Sequence, residues 1–369
     1  MSEKIRNFAD LKCTIMENNY CIIMAGGVGS RFWPFSTEEK PKQFLDFLGT
    51  GKSLIQMTFD RLDGIVRPEN IIIVTNKRYR ETIIRQLPQI NPGNILLEPI
   101  RRNTAPCIAY ATYRIYARCP KANIIVLPSD HLITDTDEFR RVLGEGLRFT
   151  SLNDSLLTLG MKPTRPETGY GYIQYASGGN ALRKVKTFTE KPNREMAELF
   201  LRSGEFCWNA GIFIWRAQVI IEAFQQLLPE MADTFSSGLR HYYHEDEQSW
   251  IDHTFPAVQN ISIDYGIMEK AENVYVMLSD FGWSDMGTWS SLYDLTAHDE
   301  NGNSIVHGRA LTYRSKNNII VLDDNELAVI DDLEGYLVAH NNGTLLICRK
   351  DDESRIRQFV DDAKKTVSH

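Results

Sequence analysis

From residue 20 to residue 131 the chain alternates between short apolar runs and amphipathic stretches, and that alternation limits the fold more than any other feature. "YCIIMA" (20–25), "NIIIVTN" (70–76), "NILLEP" (94–99) and "NIIVLPSDH" (123–131) have strand length and are rich in isoleucine. Between them, "SLIQMTFDRLDGIV" puts Leu54, Met57, Arg61 or Leu62, and Ile65 on one helical face, and "RYRETIIRQL" and "TAPCIAYATYRIYAR" read as helices. Strands separated by helices predict a Rossmann-like α/β fold. Its sheet is expected to be mixed but mainly parallel, flanked by helices on both faces and joined by right-handed crossovers.

Further along, "SLLTLGM", "GYGYIQY", "VKTFTEKP" and "CWNAGIFIW" are strand candidates, with "REMAELFLRSG" as a helix. After the polar turn "HDENGNS" the texture becomes β-rich, with turns about every ten residues, and ends in the charged helical stretch "DESRIRQFVDDAKK". The expected organisation is an N-terminal extension over 1–19, an α/β domain over 20–300 and a small β domain with a C-terminal helix over 301–369. The β segment shows no clear hexapeptide repeat.

Composition removes several function classes. A net charge of −7 over 369 residues, without a basic stripe, argues against a nucleic-acid binder. No apolar run approaches the roughly 18 residues that span a bilayer, and no signal sequence opens the chain. Six cysteines without CxxC spacing read as reduced thiols, so the expected setting is cytoplasmic.

The first apolar run leads into "GGVGSRFWPFSTEEKPKQF" (26–44). A dinucleotide fingerprint would need a third glycine where Phe32 stands and a helix opening inside the loop, which Pro34 and Pro41 discourage. "GTGKS" (49–53) imitates a Walker loop, but Asp46 occupies the position of its first glycine, so a turn with Ser53 capping the next helix is expected instead. The remaining reading keeps every residue: Gly26, Gly27 and Gly29 let backbone N–H groups approach a polyphosphate, and Arg31 and Lys42 add fixed positive charge.

GGxGxR-F-W-P followed by PKQFL resembles the sugar-nucleotide pyrophosphorylases, and among them the mannose-1-phosphate guanylyltransferases. The resemblance continues through "EPIRRNTAP", "VLPSDH", "TGYGYI", "FTEKP", "WNAGIF", "SIDYGIMEK" and "WSDMGTW", in the family's order, over residues 20 to 295. It implies a GT-A-like nucleotidyltransferase fold and transfer of GMP from GTP to mannose 1-phosphate, assisted by Mg²⁺, for which Mn²⁺ can substitute.

Residue roles follow from the same resemblance. Asp130 ends a strand, where open α/β sheets bind ligands; on spacing alone it and Asp285 divide evenly between metal ligation and local hydrogen bonding, and the family match favours metal. Arg31 and Lys42 are expected to hold the β- and γ-phosphates. Ala25, Gly26, Gly27, Gly29, Glu98, Asn103, Thr104 and Ser129 are expected to line the nucleotide site, with the segment after Glu98 reading the guanine edge. Thr104 equally suits a helix cap, with Pro106 in the first turn. Lys191 would take the sugar phosphate, with Gly169, Glu190 and Asn209 on the sugar, and Asp264 either near the sugar or capping a helix. His131 reads as positional, and His241, His244 and "HEDEQ" as a solvated face rather than a metal cluster.

Many bacterial relatives continue into a cupin-like isomerase domain, so a monofunctional transferase is expected, its tail packed on the catalytic domain or forming a homodimer contact. The resemblance to related pyrophosphorylases also makes the small β segment a candidate start of a left-handed β-helix. Other classes stay open: a sister enzyme with another sugar or base, an inactive regulatory paralogue, or a nicotinamide oxidoreductase.

Overall fold

The computed structural model describes residues 17–367, so most of the expected N-terminal extension, with Cys13, lies outside the described residues. The chain forms two compact units. Among the described residues, one comprises 17–26, 60–129 and 133–283, the other 27–59, 130–132 and 284–367.

The first unit is built on a nine-stranded sheet: β1 (Asn19–Ala25), β2 (Ile71–Asn76), β3 (Ile95–Glu98), β4 (Asn123–Pro128), β5 (Leu156–Met161), β6 (Tyr172–Tyr175), β7 (Leu182–Thr189), β8 (Phe206–Arg216) and β9 (Val274–Ser279). Their order is β3-β2-β1-β4-β8-β5-β9-β7-β6, with β6 also bonded to β8. The strands read from the isoleucine-rich runs, β1 to β4, pair in parallel with one another, as β5 and β9 also do. They are buried on both faces, which is why their sequences show no alternation. β8 enters antiparallel to both β4 and β5 and makes the sheet mixed.

Of the predicted helices, "TAPCIAYATYRIYAR" forms α1 (Thr104–Arg118), which is buried along most of its length, from Ala105 to Ile115. Its cap is Asn103 rather than Thr104: the Asn103 side chain accepts from Thr104 N while its own backbone sits at φ 66°. Thr104 is the first helical residue, and its hydroxyl accepts from Ile263 N at 2.9 Å.

In the second unit the "SLIQ" stretch is helical only over Leu54–Asp60, and the chain turns before Ile65. Gln56 reaches back to accept from Ser53 N at 2.9 Å, the side-chain half of a capping box. The β-rich segment supplies β10 (Ser304–His307), β11 (Arg309–Tyr313), β12 (Ile319–Val321), β13 (Leu327–Asp331), β14 (Tyr336–Asn341) and β15 (Thr344–Arg349). β10, β12 and β14 pair in parallel, as do β11 and β13, while β15 returns antiparallel on β14. This is a parallel β-solenoid with a hairpin end. Asn303 and Asn318 stack inside it: Asn318 Nδ2 donates to Asn303 Oδ1 at 2.9 Å and to Leu333 O at 2.8 Å.

The unit's core joins that solenoid to the glycine-rich loop. Phe32, Leu45 and Phe47 pack with Met286, Trp289, Ile319, Leu337 and Ile356. The tail thus packs on the loop that carries Arg31 and Lys42.

Candidate active site

Each unit presents its own group of the residues singled out above. In the second unit the chain passes from Gly27 through Gly29, at φ +66°, into short 3₁₀ turns at Ser30–Phe32 and Lys42–Phe44, so no α-helix opens on the glycines. A Cβ on Gly29 would stand 2.5 Å from Lys42 Cβ, so glycine is what lets the lysine stem pass. The backbone is held on both sides, by Lys42 N donating to Val28 O at 3.3 Å and Gln43 Nε2 donating to Gly27 O at 3.0 Å.

Lys42 is 3% exposed, and its ammonium donates to Asp130 Oδ2 at 3.1 Å and to the main-chain oxygen of Asp285 at 2.7 Å. Residues 88 and 243 positions away thus meet at one nitrogen. The Asp285 carboxylate bonds its own turn, accepting from Gly287 N at 2.8 Å, with Met286 at φ 43°. Burial pushes the Asp130 carboxyl up, but the Lys42 ammonium and His131 outweigh it and hold it below the usual carboxylate range. Arg31 lies within electrostatic reach of Glu353, whose carboxylate accepts from Ser290 N at 3.2 Å.

The Walker-like loop is occupied by its own side chain. Asp46 accepts from the N–H groups of Leu48 (3.1 Å), Thr50 (3.1 Å) and Gly51 (2.6 Å). The donors a phosphate would need are satisfied, which removes the loop as a phosphate site.

In the first unit, Ala25 ends β1 and Gly26 follows it. A Cβ on Gly26 would lie 3.7 Å from Glu98 Oε2. Glu98 is 5% exposed, and its Oε1 is buried with no hydrogen-bond partner. Burial pushes its carboxyl up to about 8, against the lowering by the Cys107 thiol and Arg101. Leaving such an acceptor unmade costs about 1–3 kcal/mol, so Glu98 is a candidate to pair with a bound polar group. Ser129 follows β4, its N–H donating to Met24 O at 3.1 Å.

The last group gathers Glu190, Lys191, Asn209 and Asp264. Asn209 lies in β8 where the register with β5 shifts, two residues before Gly211 at φ 65°. Its Oδ1 accepts from Thr158 Oγ1 at 3.0 Å and Gly211 N at 3.1 Å, which fixes Nδ2 as the donor to Asp264 Oδ1 at 2.9 Å. Asp264 opens a π-helical turn (Asp264–Met268) rather than capping a helix, a local widening common at functional sites. Burial, and then the Glu190 charge, push its carboxyl up to about 7, with Asn209 and Lys191 opposing. Lys191 sits at φ 44°, exposed, with its ammonium on Glu190 Oε1.

Gly169 is exposed and donates its N–H to Glu167 Oε1 at 2.9 Å. Gly171 instead borders the group, 3.5 Å from Asn209 Cβ and Glu190 Oε2 measured from a Cβ placed there. Sequence reasoning passed over Gly171 and Thr158. "TGYGYI" holds both glycines and does not say which one faces inward; a threonine inside an apolar strand was the available signal for Thr158.

The donor set fits a divalent cation. Asp130 through its carboxylate and Asp285 through its main-chain oxygen meet at the Lys42 ammonium, which brings two aspartates to one place, and Mg²⁺ is commonly held by one or two carboxylates together with substrate phosphates. Among the described residues, no group of three or more His, Cys, Asp or Glu side chains forms a self-sufficient metal cage, the 241–245 region included. Nor is any described helix long and apolar enough to cross a membrane.

Several known proteins resemble this chain. A family model described as nucleotidyl transferase matches residues 20–302. The mannose-1-phosphate guanylyltransferase of Escherichia coli K12 is 33% identical over 365 residues, covering 95% of this chain and 74% of that one. The alginate biosynthesis protein AlgA of Pseudomonas aeruginosa is 34% identical over 349 residues, 92% of this chain and 71% of its own. The crystal structure of mannose-1-phosphate geranyltransferase from Thermus thermophilus superposes with a TM-score of 0.84 at 30% identity, covering 94% of this chain and 99% of that one.

Proposed function

The chain belongs to the nucleotidyl transferase family, among the mannose-1-phosphate guanylyltransferases, and from that membership we propose that it transfers GMP from GTP to α-D-mannose 1-phosphate, giving GDP-mannose and pyrophosphate. A phosphate oxygen of the sugar phosphate attacks the α-phosphorus of GTP in line. The bond from that phosphorus to the bridging oxygen of the β-phosphate breaks, and pyrophosphate leaves with the electron pair. No proton has to move, because the attacking phosphate is already an anion at neutral pH. The enzyme's work is to position two polyanions and neutralise their charge.

The observation that carries this reading is the meeting of Lys42, Asp130 and Asp285 at one nitrogen. Asp130 and Asp285 would hold Mg²⁺ (or Mn²⁺), which when bound supplies charge neutralisation to the phosphates of both substrates. Lys42 and Arg31 bind the β- and γ-phosphates and stabilise the departing pyrophosphate, and Gly26, Gly27 and Gly29 offer main-chain N–H groups. Ala25, Asn103, Thr104 and Ser129 complete the nucleotide's surroundings. Glu98 is the base reader: guanine N1–H and N2–H₂ are paired donors, and they match a buried carboxylate with an unpartnered oxygen. Lys191 swings from Glu190 to the sugar phosphate, leaving Glu190, Asn209 and Asp264 to the sugar hydroxyls, with Gly169 at the mouth. The free and mostly buried cysteines are consistent with a cytoplasmic setting.

The test is Asp285→Ala. GDP-mannose synthesis is expected to fall by several orders of magnitude while circular dichroism shows the fold retained. Near-normal turnover would remove Asp285 from the metal site.

A further inference from the structure

Lys42 is an unusual phosphate ligand because it is already engaged. Its ammonium is almost wholly buried, bonded to Asp130 Oδ2 and Asp285 O, and stands 5.7 Å from the centroid of the Phe32 ring. Among the described residues, Asp130 is its carboxylate partner. One of the two carboxylates proposed for the divalent cation is therefore the one that neutralises a buried lysine.

The single charge of one carboxylate cannot neutralise both a buried ammonium and a divalent ion. A divalent ion binding Asp130 alone would leave the lysine charge buried without an anion, a placement proteins avoid because desolvation is then uncompensated. Retreat of the whole side chain is blocked. The Lys42 backbone is tied to Val28, and its stem fills the space left by the missing Cβ of Gly29. Only the tip can move, and it needs an anion to move to. A triphosphate is such an anion.

We propose that the Lys42 ammonium is the resident counter-ion of Asp130 in the nucleotide-free protein, exchanged for a divalent cation only when a triphosphate takes over the lysine. The inference rests on the metal assignment above and adds an order to it: cation and nucleotide enter together, and the free protein discriminates against the bare cation. Lys42 is then both a phosphate ligand and an internal competitor that keeps the carboxylate charged and placed.

The experiment titrates the full chain with Mn²⁺ and follows the free ion by electron paramagnetic resonance, without nucleotide and with GTP, against GTP alone at the same concentration. In wild type, strong Mn²⁺ uptake is expected only with GTP. In Lys42→Met, and in Lys42→Gln, which keeps a donor without the charge, nucleotide-free Mn²⁺ affinity is expected to rise by about ten-fold or more, the direction that loss of a neighbouring positive charge dictates. Adding Asp130→Asn to Lys42→Met is expected to abolish the gain. Circular dichroism confirms that each variant is folded. Unchanged or weaker Mn²⁺ affinity in both folded lysine variants overturns the exchange while leaving the catalytic reading intact. Absence of Mn²⁺ uptake by every form, even with GTP, overturns the exchange and the assignment of Asp130 and Asp285 together.

Discussion

Glu98 and Asp264 carry a pH dependence whose sign is fixed by their burial. Their carboxyls titrate near 4.5 and 3.8 in an unfolded chain and are pushed up to about 8 and about 7 in the fold. The folded state therefore binds more protons than the unfolded one between those values. As far as these groups are concerned, stability is highest below about pH 4 and falls as pH rises toward 8. Glu98→Gln removes one of them. Urea unfolding from pH 5 to 8.5 is expected to show wild-type stability falling relative to the variant by a few kcal/mol, at about 1.36 kcal/mol for each pH unit crossed while the two states differ by one proton. Parallel curves would show that Glu98 is solvated. The same variant is expected to lose preference for GTP over ATP, since an amide cannot accept from both guanine donors. Gly29→Ala acts through Lys42: the added carbon meets the lysine stem at 2.5 Å on a backbone at φ +66°. A loss of about 1–3 kcal/mol, read by thermal melting, and a larger loss of turnover are expected.

Local elements differ in how openly the sequence announces them. β1 to β4 were legible because burial on both faces writes an unbroken apolar run. The Walker-like turn was legible through Asp46, whose carboxylate now takes the loop's N–H groups. The π-helical turn at Asp264 and the shifted register that aims Asn209 were not legible, because both answer to partners distant in sequence: Asn209, Thr158 and Asp264 find one another only once β5 and β8 pair. The solenoid was suggested by the family resemblance and not by a repeat in the residues. Ser304 faces Ile319, fifteen residues on, whereas Ile319 faces Leu337, eighteen on, so its turns are unequal and leave no fixed repeat. Its signal was the pair Asn303 and Asn318, which bond each other in the interior. Asn318→Ala strips donors and acceptors from Asn303, Leu333 O and Tyr336 N together, and thermal melting is expected to register a loss of at least about 2 kcal/mol. A neutral result would show the asparagines to be replaceable by water.

The chain as a whole is interleaved, and a few of its signature residues fall, in sequence, at the boundaries between the stretches of the two units. Gly26 ends the first stretch and Gly27 begins the next, Asp130 heads the three-residue stretch 130–132, and Asp285 is the second residue of 284–367. Sequence order alone separates Lys42 from Asp285 by 243 positions, and only the tertiary structure brings Asp130 and Asp285 to that one lysine. The family resemblance supplied the roles, and the geometry supplies physical grounds for several of them. The most direct test of the central claim is pyrophosphate release measured with GTP, ATP, UTP and dTTP, each paired with mannose 1-phosphate and glucose 1-phosphate in the presence of Mg²⁺. GTP with mannose 1-phosphate is expected to exceed every other nucleotide by a factor of about 10² or more in kcat/KM, a floor below the roughly 10⁴–10⁵ by which a site built to pair polar groups rejects the wrong partner. Equal or greater rates with another nucleotide, or GTP binding without pyrophosphate release, would contradict it.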